Sequence, residues 1–168
     1  MGYVHDTAMS FFIPPGAGHY VTGTWADAAG TVAGTIAKAK AAAAETTVIN
    51  IPIMLPQNSV ALKGSALASV EIDYQIQTSA LTSFTLTMNK VTRGLDTVGL
   101  TVAAVTGTQT LVPATTAATV AKHKDKFAIT TPAYLLNTEE YLLVVTAVCA
   151  AGSVLHILGA VANYTLRL

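Results

Sequence analysis

Four histidines, one cysteine and nine carboxylates are the side chains of this 168-residue chain that could do acid/base, nucleophilic or metal chemistry. Their spacing argues against most of it. His5, His19, His123 and His156 stand far apart, whereas a preformed zinc motif brings its ligands in close pairs. Glu139 and Glu140 are neighbours and on a strand would point to opposite faces, so they do not make a general acid/base pair. Asp73 falls among alternating polar positions and reads as a lone solvated carboxylate. Cys149 lies inside an apolar run, which reads as a buried structural thiol rather than a nucleophile, and a single cysteine excludes an internal disulfide. The sequence has no Gly-x-Ser-x-Gly elbow, no phosphate-binding loop and no dinucleotide fingerprint. The expectation is a protein that is not an enzyme and uses no cofactor or metal.

Two binding signals need weighing. Lys122-His-Lys-Asp-Lys126 is the one charge cluster. It could meet an anionic partner, but a solvated turn is the simpler reading. Trp25 could stack on a ligand, and with Tyr20 or Tyr134 it could form a carbohydrate platform. With aromatics at only 7 %, a core or interface anchor is the better account of the indole. The formal net charge is zero, which argues against nucleic acid. Charged residues make up 11 % and hydrophobic residues 52 %, against about 25 % charge in an ordinary domain. A surface this poor in charge favours self-association, and a neutral Thr-rich surface is the alternative.

The elements that must carry these residues read as strands. From Leu67 to Asn89, Val70, Ile72, Tyr74 and Ile76 alternate with Glu71, Asp73, Gln75 and Gln77, and then Phe84, Leu86 and Met88 alternate with Thr85, Thr87 and Asn89. A period of two marks strands with one wet and one buried face. A turn at Thr78-Ser79-Ala80 is expected to join them into an antiparallel hairpin whose apolar face a second sheet covers. Strands are also expected at Thr46–Leu55 (with Pro52 placing it at an edge or strand end), Val98–Ala104, Phe127–Thr131, Tyr141–Val148 and Val154–Leu168, the last bulged at Gly159. Lys38–Ala44 has the best helical propensity and reads as a loop or one helical turn. Long loops are expected at 56–66 and 108–124. Gly23-Thr-Trp-Ala, Gly30-Thr-Val-Ala and Gly34-Thr-Ile-Ala form an irregular echo that suits short β segments.

Residues 141–162 carry no charge over about the length that spans a bilayer. A transmembrane helix is disfavoured by the β-branched residues, the Ala151-Gly152-Ser153 break and His156. The same region holds a glycosylation sequon, Asn163-Tyr164-Thr165, but the N-terminus has no basic or apolar signature of a secretory signal. Phe11-Phe12-Ile13-Pro14-Pro15-Gly16 reads either as an extended arm, residues 1–18, that docks on a neighbour, or as a first edge strand. Together these features predict one all-β domain over 1–168, an antiparallel jelly-roll-like sandwich of eight or nine strands.

Three segments carry a resemblance: Ile13-Pro14-Pro15-Gly16, Gly23-Thr24-Trp25, and the closing Gly159-Ala-Val-Ala-Asn-Tyr-Thr-Leu-Arg-Leu168. They resemble the small β-sandwich structural proteins of tailed bacteriophages, such as capsid decoration proteins. No functional residue carries over. The resemblance implies a virion protein made in the host cytoplasm, assembling as a symmetric homo-oligomer such as a trimer on a shell of major capsid protein. Phe11, Phe12, Ile13, Trp25, Tyr164, Leu166 and Leu168 are the candidate assembly residues. A self-assembling filament or tube subunit and a carbohydrate-binding module are the alternatives.

Overall fold

The computed structural model describes residues 5–30, 33–58, 64–94, 99–112 and 118–167. In chain order the strands are β1 (Asp6–Ile13), β2 (His19–Tyr20), β3 (Trp25–Ala29), β4 (Ile36–Lys40), β5 (Glu45–Ile53), β6 (Gly64–Gln77), β7 (Leu81–Arg93), β8 (Leu100–Val105), β9 (Gly107–Val112), β10 (Lys122–Ile129), β11 (Glu139–Cys149) and β12 (Val154–Arg167). They form two antiparallel sheets. One is seven-stranded, in the order β3-β4-β12-β6-β10-β9 with β1 also paired to β12, and the other is five-stranded, β2-β5-β11-β7-β8. Within them β4-β12-β6-β10 lies over β5-β11-β7-β8, the strand order of a jelly roll. The strand number exceeds eight or nine because short strands extend the sheets at their edges.

Alternation builds the core. Val70, Ile72, Tyr74 and Ile76 of β6 meet Phe84, Leu86 and Met88 of β7, with Ile49, Ile51, Leu143, Val145, Leu155 and Ile157 from the neighbouring strands, all buried in one cluster. Each fully buried side chain of this size contributes about 1.5–3 kcal/mol relative to exposure.

Several expectations are corrected. β6 and β7 are not a hairpin: they lie in opposite sheets, and their apolar faces meet across the core, where the rings of Tyr74 and Phe84 stack with centroids 3.9 Å apart. The turn lacks the Asn-Gly chemistry of a tight hairpin; Thr78 takes φ 69° and the chain steps from one sheet to the other. Of Lys38–Ala44, residues 38–40 belong to β4, which pairs with β3 and β12, so that tertiary pairing overrides alanine's propensity, while 41–44 form a loop as expected. Residues 107–112 and 122–126 are strand rather than loop and turn, and the latter extend the strand expected from Phe127 back to Lys122. The uncharged stretch from 141 to 162 divides into β11 and β12, one in each sheet. No helix among the described residues is long and apolar enough to cross a membrane.

β12 holds the edges in place. Its first half pairs with β4 at Leu155–Ile157, and its second half pairs with β1 from Ala160 to Arg167. Between the two the register shifts at Gly159, whose φ is +140°. This bulge in the β12–β6 ladder falls between the segments of β12 that pair with β4 and with β1 on its other edge.

Candidate assembly surfaces and a buried polar network

β1 is built from alternating residues but buries almost none of them. Its backbone pairs with β12 over its whole length, Asp6 opposite Arg167 and Ile13 opposite Ala160. Arg167 donates to both carboxylate oxygens of Asp6, with Nη2 at 2.6 Å, and its guanidinium lies 4.8 Å from the Tyr134 ring centroid. The Tyr134 hydroxyl donates to Asp6 at 3.2 Å. Two outward pairs further along, Ser10 Oγ donates to Asn163 Oδ1 at 2.7 Å. The segment is thus docked on its own chain.

Three of its large apolar side chains remain uncovered. Met9 is 41 % exposed, Phe11 44 % and Phe12 57 %. The register sets Met9 opposite Tyr164 and Phe11 opposite Ala162, both core-facing, so these two extend the core face past the rim of the five-stranded sheet. Phe12 points the other way and lies over Gly159, where an added Cβ would come within 2.8 Å of its ring. Ile13 and Tyr164 are buried and belong to the core of the subunit itself. Leu166 is partly buried against that core. Leu168 lies outside the described residues.

Trp25 opens β3 at the other margin. Its indole N–H donates to the Thr22 carbonyl at 2.8 Å, and its ring lies 4.5 Å from that of Tyr20, tilted at 47°. Burial pushes the Tyr20 hydroxyl far above its ordinary range, with Asp27 adding to the effect. The two aromatics are engaged with each other and the core edge. Beside them Lys40 is fully buried, its Nζ bonded to the carbonyls of Ala41 (2.9 Å) and Ala43 (3.2 Å) and paired with Glu45 at 2.9 Å. It fastens the crossing from β4 to β5.

The polar groups nearest to forming a chemical site lie inside the sandwich. Asp125 and His123 of β10 face inward, with Tyr74 of β6 stacked against the His123 ring at 5.0 Å. Gln109 Nε2 donates to Asp125 Oδ2 at 2.6 Å, and the Gln109 Oε1 accepts from the Leu86 N–H at 2.8 Å. Gln109 Nε2 also reaches the Phe84 carbonyl at 3.3 Å. β8 covers β7 only from Met88 onward, so Gln109 serves the β7 backbone where β8 has left it. Burial raises the Asp125 carboxyl above its ordinary value, more than Gln109, His123 and Tyr74 hold it down. His123 is held by the Thr119 carbonyl at 2.7 Å. These groups brace the point where the chain passes from one sheet to the other. Sequence reading missed them because their inward partners are polar, although His123, Asp125, Phe127 and Ile129 keep a period of two.

The rest of the predicted chemistry disperses. Glu139 pairs with Lys90 at 2.7 Å and Glu140 with Arg93 at 3.3 Å. Asp73 is not alone, since Lys124 stands 3.8 Å from it and 3.6 Å from Glu71. Cys149 is buried and its thiol is pushed up by that burial. Among the described residues no three histidine, cysteine or carboxylate side chains converge in a way that could hold a metal ion. Compared with known proteins, the chain matches no protein-family model and no curated sequence.

Proposed function

We propose that this chain is a virion structural protein, a decoration or cement subunit that self-associates and stabilises a shell. The observation that carries the reading is β1. Its backbone is locked onto β12, while Met9, Phe11 and Phe12 stand 41–57 % exposed on both faces. Edge strands of free-standing proteins are blunted by charge, Pro or twist. This one carries Phe11 and Phe12 before Ile13 and Pro14-Pro15, and it extends an apolar core face past the rim of the facing sheet. Such a surface is a binding surface more often than a solvated one. The low charge of the chain and its resemblance to phage sandwich proteins point the same way.

The test is negative-stain electron microscopy and light scattering of the purified protein beside Phe11→Asp. The variant is expected to lose assembly while keeping its circular dichroism and melting temperature, since the ring is already half in water. Normal assembly of the variant rejects β1 as the contact.

A filament or tube subunit is the second reading, and β8 favours it. Leu100-Thr-Val-Ala-Ala-Val105 is an edge strand without charge or proline, with Leu100 64 % and Val102 61 % exposed. Edge-to-edge pairing that does not close gives an open polymer. Long filaments in the same micrographs select this reading.

A further inference from the structure

The two outer faces of the sandwich differ in chemistry. The outward positions of β6 include Glu71, Asp73, Gln75 and Gln77, and those of β10 are Lys122, Lys124, Lys126 and Ala128, of which Lys124 and Lys126 bridge to the β6 carboxylates at 3.6–3.8 Å. The five-stranded sheet is unlike this. Along β11 the outward positions after Glu140 are Leu142, Val144, Thr146 and Val148. The register places Val144 between Asn50 and Thr87, and Thr146 between Val48 and Thr85. Among the described residues, ionisable groups on this face stand at its margins: the Arg93–Glu140 pair in one corner and His19 on the short edge strand β2.

A strand that meets water on one face shows polar residues there; a strand buried on both faces reads as a near-continuous apolar run. β11 reads Tyr-Leu-Leu-Val-Val-Thr-Ala-Val-Cys from Tyr141 to Cys149, yet in the single subunit only one of its faces is covered. This is the same run whose lack of charge resembles a membrane span.

We propose that the outer face of the five-stranded sheet, centred on Val144 and Thr87, packs face to face on the same face of a second copy of this chain. The proposal rests on the assembly reading above and names its surface. Three arguments select a second copy. The face is neutral across its middle, so two copies meet without like-charge repulsion. Its middle carries the β-branched Val48, Thr85, Thr87, Val144, Thr146 and Val148, side chains that let sheets approach at about 10 Å. Its size also suffices: four strands at about 4.8 Å, each offering up to roughly 30 Å of length, give on the order of 600 Å² per copy, so a pair reaches the roughly 1,200 Å² of a specific interface.

The experiment is sedimentation velocity of the full chain over a range of concentrations, comparing wild type with Val144→Asp, Thr87→Lys and a control on the opposite face, Gln77→Lys. Wild type and control are expected to sediment as the same oligomer, and both face variants as smaller species with at least a tenfold weaker association. Thr87→Lys adds a long side chain at an exposed threonine and so tests the face even if Val144→Asp misfolds. Thr85→Cys supplies a second readout: oxidation is expected to yield a cross-linked dimer. An oligomer unchanged in both face variants overturns the proposal and leaves the assembly reading standing. A wild type that is monomeric at every concentration overturns both.

Discussion

Gln109 and Asp125 lie on paired strands of one sheet, and Gln109 Nε2 meets Asp125 Oδ2 at 2.6 Å while the same amide serves the backbone of β7 in the other sheet. One side chain thereby closes the corner that the main chain leaves open. Gln109→Ala removes three hydrogen bonds, strands the Leu86 N–H and the Phe84 carbonyl, and takes from the Asp125 carboxyl one of its partners. At about 1–3 kcal/mol for a buried group left unpaired, with some rescue by water, a loss of roughly 2–4 kcal/mol is expected in urea unfolding. Gln109→Glu should be worse, because it sets a second carboxylate against Asp125. Stability equal to wild type in either variant removes the bridging role.

The pH dependence of stability should report Asp125. Its carboxyl is raised in the folded protein, chiefly by burial, so the fold binds more protons than the unfolded chain between the unfolded and folded values. The fold is therefore favoured below the ordinary aspartate range and loses this contribution as pH rises through the folded value. Asp125→Asn keeps an oxygen for Gln109 but cannot ionise. The melting temperature of the variant relative to wild type should rise from pH 4 toward pH 7. A constant difference across that range would show that Asp125 does not titrate as its burial requires. His156 works in the opposite sense: burial lowers it, so protonation below the ordinary histidine range costs stability. Comparing the two proteins at each pH cancels its effect.

Alternation made β6, β7, β11 and β12 legible, because a hydrophobic residue at every second position needs a core on one side. It could not name the partner of each strand. Period two assigns faces, not neighbours, and so β6 and β7 look like a hairpin although Tyr74 and Phe84 meet across two sheets. β10 is hidden for another reason. Its inward residues begin with His123 and Asp125, and polar inward positions look like a charged turn until their partners Gln109 and Tyr74 are seen. β4 is hidden because alanine's helical preference, a few tenths of a kcal/mol per residue, is outweighed by pairing on both sides. Of the candidate assembly residues, Phe11 and Phe12 stand at the surface and Ile13 and Tyr164 do not. Sequence cannot rank them, since an apolar side chain reads the same in a core and in an interface.

Lys40 is the clearest case of an ionisable residue placed by structure alone. Fully buried, it holds two carbonyls of the β4–β5 crossing and the partly exposed Glu45. Lys40→Met fills similar space with no donor, leaving the Ala41 and Ala43 carbonyls to water and Glu45 unpaired. The expected loss is roughly 1–3 kcal/mol, less than for a fully buried pair because Glu45 remains hydrated. Amide exchange in residues 41–45 should rise more than the global change accounts for. A uniform rise would place the role of Lys40 in general packing instead.

Gly159 connects the fold to the proposed assembly. Its φ of +140° is open to glycine and costly for other residues, and a Cβ there would meet the Phe12 ring at 2.8 Å and the Ile13 carbonyl at 3.1 Å. Gly159→Ala must therefore pay twice, in backbone strain and by pushing β1 off the second half of β12. A loss of about 1–3 kcal/mol is expected. Because the first half of β12 still pairs with β4 and β6, the sandwich should survive while β1 loosens. Limited proteolysis is expected to cut between residues 6 and 16 in the variant and not in wild type. If assembly depends on Met9, Phe11 and Phe12 being held in register, light scattering should show it weakened under conditions where the core stays folded. Assembly at full strength with β1 cleaved would place the contact elsewhere, and the outer face of the five-stranded sheet would then carry it alone.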